Sequence, residues 1–154
     1  MSVPKSVTKI NKNGVTYTSN VDACEYYIFE LNRAALRDVA KFVKRTFRDS
    51  FYSHFEKETG NAGRATQSVV LSNKNTKYPR VEIGLKKNQL KGVYGYEQEF
   101  GTSEIPRLGL LTDAVEGNIS KIIEIESQYL SALNDSESAV QGLIDESEYS
   151  DDGE

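Results

Sequence analysis

A stretch of 39 residues without a helix breaker dominates this sequence of 154 residues. Neither glycine nor proline occurs between Val21 and Thr59. At about 100° per residue, the apolar side chains of this stretch fall in one arc and its basic side chains in another. The pattern predicts an amphipathic helix of roughly 35 residues, which would be about 50 Å long. Because that exceeds the width of a compact domain of this size, we expect part of the helix to project or to meet a neighbouring subunit.

The basic arc of the predicted helix is the best candidate for a binding surface. Clustered positive charge on one face leaves three alternatives: a solvated helix face, a contact with another protein, or direct binding of nucleic acid. The stacking aromatic residues of an RNA-recognition sheet do not occur in their usual form. The arc consists of Arg33, Arg37, Lys41, Lys44, Arg45 and Arg48.

Strand-like segments flank the long helix on both sides. In residues 1–20, β-forming residues surround the turn dipeptide Asn13-Gly14, which predicts a small hairpin or an extended arm. After the glycines that end the helix, segments 66–72, 78–85 and 93–100 predict a short antiparallel meander.

A second amphipathic helix of about 20 residues is predicted to end near Leu133, with its apolar side covering the sheet. The predicted fold class is therefore α+β. It combines a long N-terminal amphipathic helix, a small antiparallel sheet of three or more strands, and a C-terminal helix packed on the sheet. Residues 21–133 are expected to form a single domain.

The last part of the chain differs sharply in charge from the rest. Residues 134–154 contain eight acidic residues and no lysine or arginine, whereas residues 1–133 contain 15 acids against 19 bases. Such a segment repels itself and has little to bury, so most of it is expected to be disordered. It serves either as a solubilising end or as a segment that docks on a basic surface, with Val140, Leu143 and Ile144 as its apolar anchor.

Several classes of protein are excluded by what the sequence lacks. No apolar run approaches the roughly 18 residues of a membrane span. One cysteine, Cys24, and one histidine, His54, are too few for a zinc site made by this chain alone. Glu97 and Glu99 are predicted to lie on a solvated strand face, and no phosphate loop or nucleophile elbow occurs. We therefore expect no enzyme, no catalytic residue, no cofactor and no metal.

A distinctive block follows the predicted third strand. It comprises Glu99, Phe100, Gly101 and Thr102, with Pro106 a few residues later. Together with the order of the predicted elements over roughly residues 35–133, this block resembles the tail-completion, or head–tail joining, proteins of tailed bacteriophages.

The resemblance implies a structural protein of the virion neck or tail, assembled in the host cytoplasm. Such a protein forms a ring, six-fold in the family, at the head-proximal end of the tail. Its implied partners are further copies of itself, the connector or stopper proteins and the tail tube protein. DNA would pass through the ring without sequence-specific contact, and no membrane is involved. The alternative is a monomeric nucleic-acid-binding α+β domain whose acidic C-terminal tail is autoinhibitory.

The residues of the block also have expected physical roles. Phe100 is expected to end a strand and insert into the core, and Gly101 to adopt a turn that other residues make only with strain. Glu99 and Thr102 are expected to satisfy backbone donors or to reach a neighbouring subunit. The block is therefore either purely structural or part of an inter-subunit contact.

Overall fold

The fold of the chain was obtained as a computed structural model that describes residues 3–55, 65–72, 78–86 and 90–149. It confirms an α+β architecture with a long N-terminal helix, antiparallel strand pairs and C-terminal helices. In chain order the elements are β1 (Val7–Lys12), β2 (Val15–Ser19), α1 (Val21–His54), β3 (Thr66–Leu71), β4 (Arg80–Leu85), α2 (Leu90–Phe100), α3 (Leu110–Glu116), α4 (Ile119–Ser131), the short 3-10 helix Ala132–Asn134, and α5 (Glu137–Tyr149).

The N-terminal segment forms the hairpin, not the extended arm. β1 and β2 pair antiparallel, and Lys12 lies opposite Val15 across a two-residue loop. Asn13 and Gly14 in that loop have φ angles of 52° and 76°. Two residues with positive φ define the turn that matches the natural twist of a hairpin, and asparagine and glycine tolerate it best.

Helix α1 has the predicted length and forms the spine of the molecule. Its 34 residues correspond to about 51 Å. Two successive apolar clusters lie along it. The first joins Leu31, Ala34 and Ala35 to residues of α4 and α5. The second joins α1 residues from Val39 to Phe51 to α3 and to the inner face of β4. A helix this long is thus accommodated by two cores in tandem.

The strand pair β3–β4 is a two-stranded antiparallel sheet, with Thr66 opposite Leu85 and Leu71 opposite Arg80. The alternation predicted for β4 is confirmed, because Ile83 and Leu85 pack on the second cluster whereas Arg80 and Glu82 are exposed. The predicted sheet of three or more strands is not matched in the described part of the chain.

The prediction of a third strand over residues 93–100 is wrong, because this segment belongs to helix α2. Tertiary contacts explain the difference. A Cβ atom added at Gly95 would lie 3.2 Å from Cδ1 of Leu85, so the glycine allows α2 to approach β4 closely. The carbonyl oxygen of Gln98 accepts a 2.8 Å hydrogen bond from the backbone N–H of Leu108. These contacts outweigh the strand preference of the aromatic residues.

The predicted second helix is divided in two by Gly117 and Asn118, giving α3 and α4. Both helices pack along α1, and α3 shares the second cluster with β4.

The prediction of a mostly disordered acidic tail is also wrong for Glu137–Tyr149. This segment is helix α5, and its buried Val140 and Ile144 complete the first cluster. The apolar anchor predicted from the sequence therefore packs on α1 and α4 of the same chain, and this packing orders the segment. Packed structure extends beyond residue 133, and residues 150–154 lie outside the described part.

Candidate functional site

The block of Glu99, Phe100, Gly101 and Thr102 links the end of α2 to the loop before α3. Gly101 has a φ of 76°, and its backbone N–H donates a 2.7 Å hydrogen bond to the carbonyl oxygen of Glu97. A left-handed residue in this position is a common way to end a helix. A Cβ atom at Gly101 would lie 2.9 Å from the backbone nitrogen of Arg107, so the expected need for glycine is confirmed.

Glu99 is buried, with 5% of its surface exposed, and its carboxylate binds the first turn of α3. Oε2 accepts a hydrogen bond of 2.7 Å from the N–H of Leu111. Oε1 accepts bonds of 3.0 Å from the N–H of Thr112 and 2.6 Å from its hydroxyl. Because the first N–H groups of a helix lack intrahelical partners, this carboxylate satisfies donors that would otherwise be unpaired. The prediction that Glu99 lies on a solvated strand face is wrong.

Thr102 organises the loop that follows. Its hydroxyl oxygen accepts hydrogen bonds from the N–H groups of Glu104 and Ile105, at 3.2 and 3.0 Å. Its own N–H donates a 2.8 Å bond to the carbonyl oxygen of Ile105. Pro106 follows as an exposed residue. The expectation that Glu99 and Thr102 satisfy backbone donors is confirmed, and the loop is firmly held.

Phe100 departs from its expected place in the core. It is 60% exposed, and its ring lies 4.6 Å from the ring of Tyr96, which is 54% exposed. Residues four apart in a helix lie on one face, whereas Gln98 and Glu99 on the other side of α2 are buried. We refer to Tyr96 and Phe100 as the aromatic pair. Their spacing of four residues would have indicated a shared helix face, but the segment was assigned to a strand, so the pair was not predicted.

Part of the basic arc of α1 is engaged by helix α5 and by a neighbouring carboxylate, and the rest is not. Arg33 donates two hydrogen bonds, of 2.9 and 3.0 Å, to the buried carboxylate of Glu30. Arg37 donates a 3.1 Å bond to the hydroxyl of Ser147, and Lys41 a 3.4 Å bond to the carbonyl oxygen of Ser147. These two cations therefore lie at the C-terminal end of α5, where the helix dipole favours positive charge.

The remaining part of the basic arc faces away from these partners. Arg45 is exposed, and Lys44 and Arg48 are partly exposed. Within the part of the chain that the structure describes, no ion pair engages these three residues. We call them the open half of the basic arc.

Two tyrosines fasten the C-terminal helices to α1. The hydroxyl of Tyr27 donates a hydrogen bond to Glu137 at the start of α5, and this bond raises the pKa of Tyr27 to about 12. The hydroxyl of Tyr129 in α4 donates to Asp38. Burial, followed by that hydrogen bond, raises the pKa of Tyr129 above its ordinary range. Both contacts require the neutral phenol, since a phenolate would face a carboxylate.

The single histidine and the single cysteine of the sequence lie outside these contacts. His54 is exposed, and its Nδ1 lies 2.9 Å from the carbonyl oxygen of Ser50 in the last turn of α1. Cys24 is an exposed free thiol. Among the described residues, no group of three histidine, cysteine or acidic side chains is placed to hold a metal ion. No helix within the described ranges is long and apolar enough to cross a membrane.

The site thus has two parts: the aromatic pair at the end of α2, beside the hydrogen-bonded loop that follows it, and the open half of the basic arc. Comparison of the chain with protein-family models, with curated proteins and with solved structures found no match.

Proposed function

We propose that this chain is a virion structural protein, a tail-completion or head–tail joining adaptor that forms a ring at the head-proximal end of a phage tail. The observation that carries the proposal is the block from Glu99 to Thr102. Its buried carboxylate and its left-handed glycine fix a loop, and Phe100 within it forms an exposed pair with Tyr96 one helical turn earlier. Tyrosine and phenylalanine are enriched in protein–protein contact surfaces.

A ring requires a heterologous contact, in which one surface of each copy meets a different surface of the next copy. The aromatic pair is suited to such a contact because it gains burial without any change in the fold. The open half of the basic arc would then meet the acidic surface of a neighbour or of a connector protein. DNA would pass through the ring without sequence-specific contact.

The test is to replace both aromatic residues and measure assembly. Tyr96→Ser with Phe100→Ser should preserve the fold, since both side chains are exposed, and should abolish ring formation. The mass of the assembled protein in solution and electron microscopy of tailed particles, labelled with an antibody against this chain, would report the effect.

Val69→Ser is the matched control, because Val69 is exposed to the same extent as Tyr96 but lies on β3. This control should assemble like the wild-type protein, and the antibody should detect it at the neck of tailed particles. Normal ring formation and neck labelling by the double aromatic variant would contradict the assignment of the contact surface. Absence of the chain from tailed particles of the cells that encode it would contradict the function.

One observation favours a second candidate, the nucleic-acid-binding domain with an autoinhibitory tail. Acidic helix α5 lies against α1 and engages Arg37 and Lys41 of the basic arc. In this case Val140→Asp with Ile144→Asp should detach α5 and produce duplex binding whose affinity falls steeply with salt. If the protein is only an adaptor, neither the wild-type chain nor this variant should bind duplex DNA in that manner.

A further inference from the structure

The N-terminal hairpin exposes several apolar side chains to solvent. β1 and β2 pack chiefly on each other. Val15 and Tyr17 alternate along β2, so they share one face of the hairpin, and both are exposed, as is Val7 on β1. A two-stranded hairpin is marginally stable in water on its own. The exposed apolar face therefore indicates that the hairpin is stabilised by a surface outside its own fold.

Helix α4 carries a second apolar stripe besides the one that packs on α1. Its inner side chains Ile125 and Tyr129 contribute to the first cluster. The outer stripe is exposed and continues into the following 3-10 helix. Its apolar members are Ile119, Ile123, Leu130 and Leu133.

The spacing of the outer stripe is that of a helix contact seam. Positions 119, 123, 126, 130 and 133 follow alternate steps of four and three residues, which place side chains in one line along a helix. Glu126 occupies the middle of the line. Two copies of the stripe packed antiparallel would set Glu126 against itself, so like charge disfavours the symmetric pairing.

The two segments that carry these surfaces have opposite charge. Residues 1–20 contain three lysines, Lys5, Lys9 and Lys12, and no acidic residue. Residues 113–137, which include α4 and its flanks, contain six acidic residues and one lysine. Opposite charge around two apolar patches steers their association and disfavours pairing of either patch with itself.

We propose that the hairpin of one copy docks on the outer stripe of α4 in the next copy. The contact joins two different surfaces, so it propagates from copy to copy and can close into a ring. The inference rests on the ring assembly proposed above and adds a second contact between neighbouring copies, besides the one made by the aromatic pair. Tyr17 would lie against the stripe near Ile123, with Lys12 beside the acidic flanks of α4.

Disulfide trapping between two different variants tests the contact directly. In a Cys24→Ser background, Tyr17→Cys is prepared in one sample and Ile123→Cys in another. Mixing the two under oxidising assembly conditions should give a covalent dimer, whereas each sample alone should give little. Gln128→Cys, on the opposite and polar side of α4, is the control partner and should give no more dimer than the single samples.

A substitution without a new thiol gives an independent measurement. Tyr17→Asp should weaken self-association by roughly tenfold or more, because it places a carboxylate against an acidic apolar surface. Thr16→Asp, on the other face of the same strand, should leave self-association within a few-fold of the wild-type value. Unchanged association of Tyr17→Asp would overturn the inference.

The outcomes separate this inference from the proposed function. Rings formed by the wild-type protein, with no trapped dimer above the control, would overturn the hairpin contact and leave the ring in place. A trapped dimer in a closed two-copy assembly would support the contact and overturn the ring. Wild-type protein that assembles neither alone nor on tails would overturn both.

Discussion

Single residues decide how the loop between α2 and α3 is built. Glu99 and Gly101 are two positions apart, yet they act differently: the carboxylate holds the next helix, and the glycine lets the chain turn away from the previous one. Both roles are contacts within the chain and need no partner protein. The loop therefore keeps its shape in the free protein, which makes its stability measurable without any assembly.

Replacing Gly101 by alanine should destabilise the protein by about 1–2 kcal/mol or more, because the residue has a positive φ and a new Cβ would meet backbone atoms of Arg107. Gly142→Ala is the matched control. A Cβ at Gly142, inside α5, meets nothing within 4 Å, so this change should stabilise by about 0.5–1 kcal/mol. Chemical denaturation measures both, and equal effects would refute the strain argument.

Removing the carboxylate of Glu99 should be costly as well. Glu99→Ala leaves two backbone donors and one hydroxyl of α3 without their acceptor and should cost about 2–3 kcal/mol. Glu99→Gln retains one acceptor oxygen and should cost less. Glu104→Ala, at an exposed position in the same loop, should change the free energy of unfolding by less than about 0.5 kcal/mol. An unchanged free energy of unfolding in Glu99→Ala would contradict the capping role.

At the scale of elements, α5 is held to α1 by a short list of buried side chains together with polar contacts at both of its ends. Val140, Ile144 and Ser147 are its buried residues, and the hydroxyl of Tyr27 binds its first turn. At the C-terminal end of α5, Ser147 accepts hydrogen bonds from Arg37 and Lys41 of α1. Its docking therefore combines a small apolar footprint with polar contacts that depend on protonation.

The Tyr27 contact predicts a dependence of stability on alkaline pH. The pKa of Tyr27 is raised from 10.0 to about 12 in the folded protein. The stability from this contact is therefore complete below pH 10 and is lost as the pH rises through about 12. Tyr27→Phe should show a smaller loss of unfolding free energy across this window, measured by denaturant titration at successive pH values.

Glu137→Gln provides the check on cause. It removes the negative charge that disfavours the phenolate, so it should also flatten the pH dependence between pH 10 and about 12. If Tyr27→Phe kept the wild-type slope, the hydrogen bond to Glu137 would not be the source of that stability.

The elements differ in how well the sequence predicts them, and the reasons are physical. Helix α1 was predictable because no breaker interrupts a strong 3.6-residue pattern. Helix α2 was not, since two glycines and several aromatic residues favour a strand locally, and its helical form depends on contacts with β4 and Leu108. Because α2 was assigned to the sheet, the exposure of Phe100 and the burial of Glu99 were missed with it.

Helix α5 was missed for a related reason. Its acidic composition favours solvation, and only the apolar positions at helical spacing indicate an anchor. Whether those positions suffice to order a segment depends on the surface that receives them. That surface is formed by α1 and α4 together, and no local pattern in the sequence describes it.

At the scale of the whole molecule, the open half of the basic arc is a charged surface that the described part of the fold leaves available. Lys44→Glu, Arg45→Glu and Arg48→Glu together should weaken attachment to the connector or to a neighbouring copy at physiological salt. The free energy of unfolding should change little, because these side chains are at least partly exposed. Binding to purified tails and the mass of the assembly would measure the effect.

Lys86→Glu, at an exposed position after β4, is a suitable charge-matched control for a single reversal such as Arg45→Glu. Equal loss of attachment in both variants would indicate a general response to net charge and not a specific surface. Normal attachment of the triple variant would refute the role of this surface.

The tandem arrangement of two cores along one helix has a consequence for cooperativity. The partly buried side chain of Ile125 packs against both clusters. The N-terminal half of α1, with α5, can thus open as one unit while the half bound to α3 and β4 remains closed. Amide hydrogen exchange would then divide the spine into a faster and a slower zone. Ile125 would then be the residue that sets how strongly opening of one zone is coupled to opening of the other.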